Sequence, residues 1–198
     1  LWTVSGIYFA FNKIELVRGE QYRLTNFSDI KLGEIEFDIP KTSNLEIKKR
    51  LDKTILILSS DSGSSYLKSD GTPLDKISGE MAMLLVQQNT TLTPIEAEEI
   101  TSSKKGSEYR GRTLPLMKVI SKNEKDKLIN VYLNVYSGEV TAIRSMQWKI
   151  WDLMWGFHIM DWQERDNIDN LFLKIFSILA LVSSISGILL FFKIDFKK

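Results

Sequence analysis

The chain has no cysteine, a single histidine and four prolines in 198 residues. Without cysteine there are no disulfides, thiolate zinc sites, cysteine-held iron–sulfur clusters or thiol nucleophiles. One histidine excludes an HExxH centre and any protein-only multi-histidine metal site. A surplus of one charge sign is also missing: 26 Lys and Arg against 25 Asp and Glu leave a net charge of +1. A general electrostatic binder of nucleic acid needs a basic surplus, so that class is excluded. Nor is there a P-loop, a GxGxxG turn or a GxSxG elbow. The serine-rich run Asp61-Ser62-Gly63-Ser64-Ser65 has the composition of a plain turn.

The mean hydropathy of −0.10 hides an uneven distribution. Ile175–Phe192 holds no charge, whereas residues 12–145 carry most of the Lys, Arg, Asp and Glu. The chain therefore reads as a soluble body with a membrane segment. As a helix, residues 171–192 span about 33 Å, enough for a hydrocarbon core of about 30 Å. Lys174 lies near one end, where its stem can snorkel to the headgroups. A body this small has no interior for a helix that is apolar on every side. Lys193, Lys197 and Lys198 follow the span and an acidic stretch, Asp161–Asn170, precedes it. The positive-inside tendency puts residues 193–198 in the cytoplasm and the body outside it. Leu1–Phe11 is uncharged but too short to cross, and reads as the end of a first transmembrane helix whose start is missing. Val4–Phe11 and Ile185–Phe192 share Ser-Gly-Ile. Ser5 and Gly6 on one helix, with Ala180, Ser183 and Gly187 on the other, predict a small-residue notch where the two pack in lipid. The expected placement is multi-pass in the cytoplasmic (inner) membrane.

Within the body, Thr54–Leu58 and Ser65–Lys68 read as strands around the 61–65 turn. Ile77–Gln87 reads as a short helix capped by Ser78. Leu92–Lys105 carries a capping box of Thr93 and Glu96 with Pro94 at the first helical position, which predicts a second helix. Residues 113–121, 128–135 and 140–145 read as strands. Along 128–135 the apolar Ile129, Val131, Leu133 and Val135 alternate with Leu128, Asn130, Tyr132 and Asn134, as in a half-buried antiparallel strand. This order predicts an α+β layer with the 92–105 helix across the sheet. Residues 66–78 and 132–145 both run Tyr-Leu, a glycine turn, then Ile, a weak internal echo.

LTPIEAEEI (92–100), RGRTLPLMKVI (110–120) and VYLNVYSGEVTAIRS (131–145) resemble a PepSY domain. That family's pattern is a Leu-Thr-x-x-Glu-Ala helix followed by strands closing on Val-Tyr-Val-Asp-x-x-Thr-Gly-Glu-Val. Asn134 stands where the family has Asp, and Ser137 where it has Thr. Residues 148–170, ahead of the final span, are similar to PepSY-associated transmembrane proteins. Together with the reading of the residues, the resemblance divides the chain into six segments: a helix end (1–11), an extracytoplasmic α+β region readable as a PepSY-like half (12–91), a PepSY-like helix packed on antiparallel strands (92–145), a Trp-rich interfacial helix and connector (146–170), the span (171–192) and a cytoplasmic tail (193–198). Such proteins include regulators that bind or inhibit peptidases, and multi-span haem-bearing reductases, notably of ferric siderophores. The expected function is thus a non-catalytic binding or regulatory module on the outer side of the membrane, with lipid and a peptide, protein or membrane-protein partner. The alternative is a haem b electron-transfer component working with a reductase partner. A structural stabiliser of a larger membrane complex is a third reading.

Trp148, Trp151, Trp155, His158 and Trp162 are spaced 3, 4, 3, 4, which predicts one stripe along a helix. Tryptophans just before a span make an interfacial belt. His158 is then a polar tip among rings, an axial haem ligand whose second partner is Met154, Met160 or a histidine in the missing part of the first helix, or a general base with no assignable nucleophile. Arg165, Asp166 and Asp169 read as a solvated connector, with Asp169 or Asn170 capping the final helix.

Overall fold

A computed structural model describes residues 2–25, 30, 35, 44–61 and 63–195. The chain divides into two compact units, Lys13–Lys149 and the combination of Leu1–Asn12 with Ile150–Lys198. Lys197, Lys198 and Ser62, which the sequence reading used, lie outside the described residues.

The Lys13–Lys149 unit is α+β with two antiparallel sheets. Strands β1 (Asn44–Arg50), β2 (Lys53–Ser60) and β3 (Gly63–Lys68) form a three-stranded meander. Helix α3 (Gly79–Asn89) follows, after the short helical turns α2 (Ile14–Val17) and Glu20–Tyr22 nearer the N-terminus. Strands β4 (Thr93–Ile100), β5 (Leu116–Lys122), β6 (Leu128–Asn134) and β7 (Val140–Arg144) make the second sheet in sequence order.

Helix α3 begins where the Ser78 hydroxyl accepts from the Met81 amide at 3.2 Å, as its N-cap signature predicts. Its Ala82, Leu85 and Val86 are buried against Val119, Val131, Leu133, Val135 and Ile143. The alternation read along 128–135 therefore faces this helix. The opposite face of the sheet is not bare: Tyr132, Ala142, Leu116 and Tyr109 form a second cluster there. The meander is tied to the larger sheet by Arg50, whose Nη1 donates to the carbonyls of Asp75 (2.9 Å) and Tyr136 (2.8 Å). Tyr66 stacks on Tyr136 with ring centroids 5.2 Å apart.

The helix expected over 92–105 is instead strand β4. The Thr93–Glu96 capping signal is local, and sheet pairing overrides it. Glu98 faces Lys118 across the strands and bonds it at 2.7 Å, and Glu99 meets Lys76 at 2.6 Å. The β4–β5 register shifts between Pro94 and Glu96, and Pro94 sits on an edge strand where its missing N–H is tolerated. The helix lying on the sheet is α3. The two echo segments, 66–78 and 132–145, each contain a strand followed by a turn.

The other unit contains α1 (Trp2–Phe11), the part of α4 (Met146–His158) from Ile150 onward, and α5 (Leu171–Asp195). The backbone leaves α4 at His158 and turns through left-handed Met160 and Arg165. The Asp161 carboxylate accepts from the amides of Glu164, Asp166 and Asn167, which fixes this connector. Asn170 then caps α5, its Oδ1 accepting from the Leu173 amide at 2.9 Å, and Lys174 pairs with Asp169. Asn170, not Asp169, is the cap. Arg165 pairs with Asp152 of α4 at 2.6 Å. Among the described residues one helix is long and apolar enough to cross a membrane, Leu171–Lys193; α1 is too short.

Candidate functional site

Helix α1 presents Trp2, Ser5 and Phe9 on one side, and these meet Trp151, Trp155 and His158 of α4. Ser5 is buried. Its Oγ lies 2.8 Å from the Trp2 carbonyl and 3.0 Å from His158 Nδ1. A hydroxyl has one hydrogen, and a carbonyl can only accept. Both contacts are hydrogen bonds only if Ser5 donates to Trp2 and His158 Nδ1–H donates to Ser5. The neutral ring then carries its lone pair on Nε2. Phe9 meets the imidazole edge-on at 5.4 Å, Trp155 lies nearly parallel to it at 6.3 Å, and Trp2 is tilted at 5.7 Å. The nearest atom to a Cβ placed on Gly6 would be His158 Cε1, at 3.8 Å.

The five-residue stripe is thus divided. Trp151, Trp155 and His158 come together. Trp148 is buried in the Lys13–Lys149 unit, with the guanidinium of Arg144 4.4 Å from its ring centre and that of Arg110 at 5.6 Å. Trp162 lies beyond the end of α4, exposed and 6.4 Å from Phe172. The structure does not bring the two small-residue sets together. Ser5 and Gly6 face His158, Ser183 is exposed, and nothing lies within 4 Å of a Cβ placed on Gly187.

The body holds a polar constellation that the sequence did not announce. The Glu108 carboxylate accepts from Asn130 Nδ2 (2.7 Å), Tyr132 Oη (3.0 Å) and Lys149 Nζ (2.9 Å). Burial opposes its ionisation, but the bonds from Asn130, Lys149 and Tyr132 win and hold the carboxyl below its usual range. Burial first, then the Glu108 charge, pushes the Tyr132 phenol up. Arg144, buried and repelled by Arg112, is pushed down to about 10 and donates through Nε to the Glu108 carbonyl at 2.9 Å. The only sequence signal was the polar alternation of Asn130 and Tyr132 on one strand face. These groups are bound to one another, so the cluster fixes the 101–115 segment to the sheet.

An open groove of about 740 Å³ lies elsewhere in the same unit. Apolar Ile55, Leu74 and Met81 line it together with polar and charged residues that include Lys53, Lys68 and Asp70. Among the described residues no group of three His, Cys, Asp or Glu is placed to hold a metal ion. Comparison of the chain with family models, curated proteins and solved structures returns no match.

Proposed function

We propose that the chain is a membrane-anchored, PepSY-like binding module that acts without catalysis on the outer side of the cytoplasmic membrane. One observation carries the reading. Leu171–Lys193 has a mean hydropathy of 2.4 and buries none of its apolar window against protein, while the body keeps a core of its own. A helix apolar all round with no protein cover is stable in lipid and a liability in water. The PepSY element of the reading is supported by a helix, α3, preceding the antiparallel strands, and by VYLNVYSGEV contributing β6 and the turn into β7. It is weakened where LTPIEAEEI is strand and not helix. The groove, lined by apolar side chains and by charges of both signs, suits an extended peptide bearing alternating apolar and charged side chains.

The chain has no native cysteine, so Ser69→Cys at the groove gives a unique handle. In intact cells it should react with a membrane-impermeant maleimide; no reaction until the cells are opened overturns the outer placement. With a fluorophore there, purified protein in nanodiscs should give a saturable response to model peptides of alternating Leu and Asp or Lys. Lys53→Glu should weaken the acidic series. No saturable response to either series overturns the binding reading.

The second reading is haem binding, and the Ser5–His158 bond favours it. Holding Nδ1–H leaves Nε2 as a neutral nitrogen donor, the arrangement common among metal-bound histidines. His158 would supply one axial bond, and Trp2, Phe9 and Trp155 an apolar wall; bound haem would supply one-electron chemistry. The described residues fit that one bond. Haem added to purified protein should give a Soret band that His158→Ala removes and Ser5→Ala shifts. A spectrum unchanged from free haem overturns this reading.

A further inference from the structure

Trp151 and Trp155, read as membrane anchors, are not the outward surface of α4. Successive helical residues turn by about 100°. Phe9 and the Trp151–Trp155 pair therefore occupy the sides on which α1 and α4 meet. The opposite side of α1 carries Val4, Ile7 and Phe11, exposed at 64%, 54% and 84%. On α4, Ile150 and Leu153, exposed at 44% and 41%, share a side with Phe157, away from the α1 contact.

The paired helices are thus apolar where they face away and, apart from the Ser5–His158 bond, where they touch. Charge is missing from both outward faces. Residues 2–11 contain none, and the one acid between Ile150 and His158, Asp152, is buried at 1% exposure against Arg165. Charges resume at the ends, with Lys13, Lys149 and Asp161. A helix pair in water would present an apolar patch with no polar cover. The Ile150–His158 stretch is about 14 Å of helix, about half of a hydrocarbon core of about 30 Å. The same compact unit contains α5, the helix suited to span.

We infer that α1 and the Ile150–His158 part of α4 are embedded together in the hydrocarbon layer, with Val4, Ile7, Phe11, Ile150 and Leu153 against lipid acyl chains. The tryptophans hold the two helices together instead of anchoring them. This rests on the membrane-anchor reading above and extends it from one helix to three.

Single cysteines at Ile7, Ile150 and Leu153 would carry an environment-sensitive nitrobenzoxadiazole label. Leu181 on α5 serves as the lipid reference and Ser69 as the water reference. The full chain would be placed in phosphatidylcholine vesicles with nitroxide at carbon 5 or carbon 12 of the acyl chain. Labels at 7, 150 and 153 should shift to the blue and lose most of their emission, as at 181, while the label at 69 keeps its emission. If 181 is quenched but 7, 150 and 153 are not, the inference falls and the anchor stands. If 181 is not quenched either, both fall. A blue shift without nitroxide quenching that disappears as the protein is diluted in lipid would mean that a second copy covers the face, which also overturns the inference.

Discussion

Gly138 offers a quantitative test of how the turn between β6 and β7 fits the core. Its φ is +72°, a conformation that costs a residue with a Cβ about 1 kcal/mol. A Cβ there would lie 2.5 Å from Leu85 Cδ1 and 3.4 Å from Arg50 Cγ. Leu85 is 2% exposed, packed among the core valines, and cannot swing away without displacing them. Forcing an extra carbon into such a core costs about 1–3 kcal/mol. Gly138→Ala should therefore lose about 2–4 kcal/mol in all. Gly111 provides the control. Its φ is also +72°, but nothing lies within 4 Å of its would-be Cβ. Gly111→Ala should lose only the backbone share, about 1 kcal/mol. At about 4 °C per kcal/mol for a unit of this size, the full chain in mild detergent should melt about 8–16 °C lower after Gly138→Ala and about 4 °C lower after Gly111→Ala. Equal shifts in the two variants would refute the packing of Gly138 beneath Leu85 and reduce both effects to backbone conformation.

Glu108→Gln should cost about 1–2 kcal/mol near neutral pH, by removing a charge-assisted bond from Lys149. The folded carboxyl titrates below its usual range, so the wild-type advantage is complete above the ordinary glutamate value and shrinks as pH falls through the lower folded value. Melting curves of both proteins from neutral into acid check this, and a gap that widens in acid would contradict it. Asn170→Ala should remove the cap of α5, worth about 1 kcal/mol, and release the carbonyls of Ile159 and Asn167 that Asn170 Nδ2 holds. Hydrogen exchange at the Leu173 amide should quicken severalfold, and unchanged protection there would show that the helix does not start on that side chain.

What was readable in the sequence depended on whether the deciding interaction was local. The Ser78 cap and the start of α3 were, since a hydroxyl reaches an amide three residues on. The alternation of Ile129, Val131, Leu133 and Val135 was too, because period two is the geometry of the strand itself. Segment 92–100 failed by the same rule. Its capping box is a local signal, but Lys118 and Lys76, the cations that pair its glutamates, lie about twenty residues away on either side. Glu108 gave no local sign at all: its donors Asn130, Tyr132 and Lys149 converge only once the sheet and the start of α4 are built.

The Trp/His segment shows how far periodicity goes. Spacings of 3 and 4 place Trp151, Trp155 and His158 on one side of a helix, and they are there. The spacing names a face without naming what covers it. Tryptophans before a span suggest headgroups, yet the ring that meets Trp151 and Trp155 is Phe9, well over a hundred residues earlier in the chain. The outward face is then left to Ile150 and Leu153, residues that carry no motif. Aliphatic side chains need no polar partner, so lipid chains satisfy them as well as a protein core does, whereas a buried indole N–H or imidazole needs a placed acceptor or donor. The helix pair supplies that geometry for His158 through Ser5, while Trp2 Nε1, buried in the same pair, has no hydrogen-bond partner among the described residues. On these grounds His158 belongs between the helices, and on the inference drawn above the featureless aliphatic face of α4 meets lipid.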